Sequence, residues 1–70
     1  MDKELVKRYA ERNPEIRELF ERHQALEKEL SELVRKAYLT AEEEVRKKRI
    51  QKEKLALKDR IYELIKREGG

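Results

Sequence analysis

Between Ile16 and Ala37 one pattern repeats without a break: Ile16, Leu19, His23, Leu26, Leu30, Leu33 and Ala37 are spaced 3, 4, 3, 4, 3 and 4 residues apart. Alternating threes and fours put all these positions on one stripe of an α-helix, the a/d seam of a coiled coil. No glycine or proline interrupts the run after Pro14. Phe20 and Val34 widen the stripe on one side, as the core face of a globular helix pair requires. A helix of this kind persists in water only when its stripe is covered. The cover must come from the rest of the chain or from another molecule.

The matching stripe follows Tyr38-Leu39-Thr40, which reads as a turn. Thr40 and Glu43 form a capping box, T-x-x-E, in which the hydroxyl takes one orphan N–H and the carboxylate reaches back to another. Glu44 stands where a hydrophobic staple would need an apolar residue, so the box has no staple. A long helix then runs over 41–68, with Gly69-Gly70 at its end. Its apolar stripe is Ile50, Leu57, Ile61 and Leu64, widened by Ile65. A three-residue connection makes the two helices antiparallel neighbours. Their register pairs residues whose numbers add to roughly 80. Leu30 then meets Ile50, His23 meets Leu57, Leu19 meets Ile61 and Ile16 meets Leu64. The rod is about 36 Å long at ~1.5 Å per residue.

The chain ahead of this hairpin predicts a short helix over 2–12, capped by Asp2 and carrying Leu5, Val6, Tyr9 and Ala10 on one side. Asn13-Pro14 ends it. Proline disfavours the α conformation in the residue before it, Asn is a good N-cap, and Pro14 suits the first position of a helix over 14–37. The expected fold is all-α: one domain, residues 1–70, with a short N-terminal helix followed by a long, coiled-coil-like antiparallel helical hairpin.

Composition narrows the function. Half of the 70 residues are charged and 37% are hydrophobic. That balance would sit near disorder were the charges not mixed in sign and the apolar residues periodic. A core this small is marginal alone. There is no cysteine, hence no disulfide, thiol nucleophile or thiolate metal site. No apolar run approaches the ~20 residues of a membrane span. The opening MDKELVKRYAERN is charged throughout and does not read as a secretory leader, so the expected compartment is the cytoplasm. Residues 1–13 carry net +1, residues 14–40 net −1 and residues 41–70 net +3.

NPEIRELFERHQAL at Asn13–Leu26, YLTAEEE at Tyr38–Glu44 and KEKLALKDRI at Lys52–Ile61 together resemble the YdcH-like family of small bacterial proteins of uncharacterised role. The resemblance covers nearly the whole chain. Its most specific part is Lys52, Lys54, Leu55, Leu57, Lys58 and Asp59, combined with His23 upstream. It implies a helical hairpin and supplies no substrate, cofactor or catalytic residue. Ala41 stands where similar sequences often have proline, which a first helical position tolerates.

Four groups of residues invite a functional reading. His23, the lone histidine, reads as a polar residue that sets helix register rather than as a ligand or proton switch, because one imidazole makes neither a metal site nor a triad. Glu27, one turn on, is within hydrogen-bonding reach of its ring. Arg46-Lys47-Lys48-Arg49 with Lys52, Lys54, Lys58 and Arg60 could contact nucleic acid or an anionic membrane surface. Steps of ~100° spread these residues around the helix, and Glu27, Glu29 and Glu32 face part of them, so pairing within the hairpin is expected instead. Asp59 is expected to pair with Arg22 or nearby lysines. Tyr9, Tyr38 and Tyr62 read as packing residues with hydroxyls in water.

One stripe is left over: Val45, Leu55 and Tyr62 lie on another side of the third helix. Either the first helix covers them or another molecule does. The reading is therefore a non-enzymatic protein–protein interaction or self-association module, without metal, cofactor or small-molecule substrate. Its interface would be Val45, Leu55 and Tyr62, joined by Leu5 and Tyr9 if the first helix is displaced. The alternative is a nucleic-acid-associated protein using Arg46–Lys58.

Overall fold

The computed structural model describes residues 2–69 and contains three helices, α1 (Lys3–Arg12), α2 (Pro14–Val34) and α3 (Ala41–Gly69). The fold is all-α, an antiparallel hairpin of α2 and α3 with α1 folded back along α2. The molecule measures 45 × 17 × 16 Å, close to the ~1.5 Å rise per residue of α3.

Each helix start is capped by the residue its sequence supplies. Asp2 Oδ1 accepts from the backbone N–H groups of Glu4 and Leu5, both at 3.2 Å. Asn13 is extended (φ −118°, ψ 109°), as a residue before proline must be. Its Oδ1 accepts from Glu15 N at 2.9 Å and Ile16 N at 3.3 Å. Thr40 Oγ1 accepts from Glu43 N at 3.1 Å while Thr40 N donates to Glu43 Oε1 at 3.0 Å, the reciprocal capping box.

The seam closes as its spacing requires. Ile16, His23, Leu33, Ile50, Ile61 and Leu64 are buried, and Leu19, Leu26, Leu30 and Leu57 are half-buried. Cross-hairpin partners straddle the expected register. Arg60 with Glu15, Arg22 with Glu53 and Arg46 with Glu29 all add to 75, while Lys54 with Glu27 and Asn13 with Glu68 add to 81.

Three expectations fail locally. First, α2 ends at Val34, not Ala37, and the connection is residues 35–40 rather than 38–40. Lys36 N–H bonds to Leu33 O in a tightened last turn. Past Leu33 the contact that α3 offers is polar, Glu43 pairing with Lys36. The last turn of α2 also lacks basic residues that would favour its C-terminal end. Second, Val34 is exposed rather than part of the seam. It lies fourteen residues beyond Phe20, on the same flank. Phe20 is buried because α1 lies over it, and α1 reaches only as far as Glu27, through Lys3 at 3.2 Å. Third, Tyr38 is 90% exposed and packs on nothing, since it falls in the turn. At the other end α3 runs through Gly69, one residue further than expected, and Gly70 lies outside the described residues.

The main core sits at the end of the rod where α1 joins the hairpin. Val6, Ala10, Ile16, Phe20, Ile61 and Leu64 form it, with Tyr9, Leu19 and Ile65 packed against it. Beyond that cluster the rod is two helices thick.

Candidate helix-binding face and its surroundings

One flank of the hairpin is organised by heptads. On it Glu15, Arg22 and Glu29 follow each other at seven-residue steps along α2, and Arg60, Glu53 and Arg46 do the same on α3. They pair as Glu15–Arg60 (3.4 Å), Arg22–Glu53 (3.6 Å) and Glu29–Arg46 (2.9 Å), a ladder whose sign alternates at each rung. Rungs this exposed each contribute a few tenths of a kcal/mol. They nevertheless select antiparallel pairing in this register. Lys36 and Glu43 pair across the turn, and this bond, with the Thr40 backbone N–H, holds the Glu43 carboxyl below its ordinary range.

The ladder also decides what the basic stretch does. Arg46, Lys54 and Arg60 are paired with glutamates of α2, as expected, and Glu32 is in no ion pair among the described residues. Asp59 does not meet Arg22, because Arg22 is taken by Glu53.

The opposite flank carries α1. Arg17 Nε donates to Ala10 O at 3.2 Å and Lys3 Nζ to Glu27 Oε2 at 3.2 Å, so α1 runs antiparallel to α2 and alongside α3. Tyr9 extends to the end of α3, where a β-carbon on Gly69 would stand 3.1 Å from its hydroxyl oxygen. Asn13 Nδ2 donates to Glu68 Oε1 at 2.9 Å. One asparagine thus ends α1, caps α2 and tethers α3.

Where α1 begins, a shallow depression of about 260 Å³ is lined by His23, Glu27, Lys54, Leu55 and Lys58. His23 is 4% exposed and its Nδ1 has no hydrogen-bond partner. The expected bond to Glu27 is not made: Nδ1 and Oε1 are 3.7 Å apart, beyond hydrogen-bonding distance. Glu27 instead accepts from Lys3, with Lys54 at 3.8 Å. Burial pushes the His23 pKa below its ordinary value. The Glu27 charge opposes this, and Lys54, Lys3 and Lys58 reinforce it. Burial would raise Glu27, but the Lys3 hydrogen bond and the charges of Lys3, His23 and Lys54 outweigh it and hold the carboxyl low.

The leftover stripe of α3 remains open. α1 does not fold onto it, because its buried residues Val6 and Ala10 are engaged with Phe20 and Ile61. Leu55 is 58% exposed, Val45 56% and Tyr62 36%. Leu5 is exposed on α1, and Tyr9 is half-buried against the core. The depression of about 500 Å³ beside Val45 is lined by residues of α3 alone, which makes it open surface rather than a cleft. No described helix is long and apolar enough to cross a membrane.

In the comparison with known proteins, the family model described as Protein of unknown function (DUF465) matches residues 16–65. No curated protein and no solved structure matches the chain. The matched segment contains the whole seam, His23, the turn and both Leu55 and Tyr62, and leaves out α1.

Proposed function

This chain belongs to the DUF465 family, of which YdcH is a member, and from that premise we propose that it is a non-enzymatic interaction module of the bacterial cytoplasm that binds a helix of another polypeptide. The observation that carries the reading is that Leu55 and Tyr62 stay exposed, seven residues apart on one line of α3, after the molecule's own α1 has docked elsewhere. Burying a Leu side chain is worth about 1.5–3 kcal/mol. Two anchors on one rigid helix are what helix-on-helix recognition uses. The basic stretch supports the nucleic-acid alternative less well, because three of its eight cations are engaged with glutamates of α2.

The test is photo-crosslinking in cells through Leu55→p-benzoylphenylalanine, with Tyr38→p-benzoylphenylalanine on the exposed turn as control. A protein adduct of discrete mass formed at position 55 and not at position 38 is the expected result. Equal adducts at both positions, or adducts to nucleic acid alone, would overturn the reading.

A further inference from the structure

We infer that the occupant of the α3 stripe is a second copy of this chain, paired antiparallel about a two-fold axis at Leu55. The inference rests on the stripe being a helix-binding face and names its partner and register.

The argument is one of self-complementarity. At ~100° per residue, Lys48 and Tyr62 lie seven residues to either side of Leu55 and within about 20° of it. Lys52 and Asp59 lie about 60° and 40° to one flank, and Lys58 and Gln51 about 60° and 40° to the other. A two-fold axis that exchanges antiparallel helices brings like flanks together. Leu55 then packs on the partner's Leu55. Lys52 meets the partner's Asp59, and Asp59 meets the partner's Lys52. The Gln51 amide oxygen accepts from the partner's Lys58. The Lys48 ammonium lies over the ring of the partner's Tyr62, a favourable cation–π placement. Lys52 and Asp59 are exposed and in no ion pair among the described residues.

Neighbouring registers are worse. An axis between Lys58 and Asp59 sets Asp59 on the partner's Asp59 and Lys58 on the partner's Lys58. An axis at Tyr62 pairs Asp59 with the partner's Lys66, but Leu55 then lands on the partner's Gly69. α1 adds a steric reason. It flanks α3 only from the level of Lys54 to Gly69. The Leu55 axis sets the half of α3 flanked by α1 against the bare half of the partner, whereas the Tyr62 axis crowds both α1 helices together. The Leu55 register also brings the partner's Lys66 to the level of Val45. A single helix pair buries less than the ~1,200–2,000 Å² of a standard stable complex, so the association is weak and concentration-dependent.

The chain has no cysteine, which permits a direct test. Leu55→Cys, Tyr62→Cys and Tyr38→Cys are oxidised mildly over a concentration series, with circular dichroism to verify the fold of each. Only Leu55→Cys lies on the axis, so it alone is expected to form a disulfide-linked dimer readily. In sedimentation equilibrium, Asp59→Lys is expected to weaken the dimer about tenfold by setting lysines together twice, and Lys52→Asp/Asp59→Lys to restore it. Preferential crosslinking of Tyr62→Cys, or rescue of Asp59→Lys by Lys66→Asp instead, would overturn the register. A parent chain that stays monomeric at millimolar concentration would overturn the second copy as occupant. In that case a position-55 adduct to a different protein in cells would leave the helix-binding reading standing.

Discussion

His23 Nδ1 lies 3.7 Å from Glu27 Oε1, one turn along α2, without a hydrogen bond between them. The pKa of the ring lies below the ordinary 6.5 chiefly because of burial. As pH falls the unfolded chain therefore takes up the proton first. Stability is complete above pH 6.5 and declines as pH drops from there toward the native pKa. The Glu27 carboxyl is also held low, so its loss comes further down, below 4.5. His23→Leu is expected to abolish the decline just below pH 6.5. It should also raise stability by about 1–3 kcal/mol by removing an unsatisfied buried polar atom. Thermal melts between about pH 5 and pH 8 check both; parallel curves for parent and variant would contradict the assignment.

Asn13 holds three helices at one point. Asn13→Ala removes the α2 cap and the tether to Glu68 and is expected to cost about 1–2 kcal/mol. Asn13→Asp keeps the cap acceptor but sets a carboxylate against Glu68, so it should fall between Ala and the parent at neutral pH. Urea unfolding of the three proteins gives the order, and Asp melting below Ala would refute it.

Val6 is fully buried and faces the hairpin from α1. Val6→Asp is expected to release α1 while much of the hairpin stays helical, because the seam beyond Leu26 does not involve α1. Hydrogen exchange should show loss of protection in residues 3–12 with protection retained around Leu33 and Ile50. Uniform loss would mean that α1 and the hairpin fold as one unit.

The ion-pair ladder predicts a small, salt-sensitive effect. Glu53→Lys sets two cations together at the middle rung with Arg22 and is expected to cost up to about 1 kcal/mol at low ionic strength. At about 1 M salt, where the screening length is near 3 Å, most of that cost should vanish. A loss that is independent of salt would point to packing rather than charge.

The three helices, their caps and the seam were legible because each rests on local rules. Threes and fours define one face, Asp2, Asn13 and Thr40 supply acceptors where N–H groups are orphaned, and a proline breaks the chain at one place. Whether the seam would find its partner was legible too, since Ile50, Leu57, Ile61 and Leu64 repeat the same spacing after a turn. Other features depended on atoms that only folding brings together. The end of α2 at Val34 follows from what α3 presents opposite it. The exposure of Val34 and the burial of Phe20, equivalent in the heptad, differ because α1 is ten residues long and stops at Glu27. Arg22 could pair with Glu53 or Asp59, and the stagger of the packed helices chose Glu53. Periodicity specifies which side of a helix is apolar. It does not say which apolar side the short first helix will take, and that choice left Leu55 and Tyr62 uncovered.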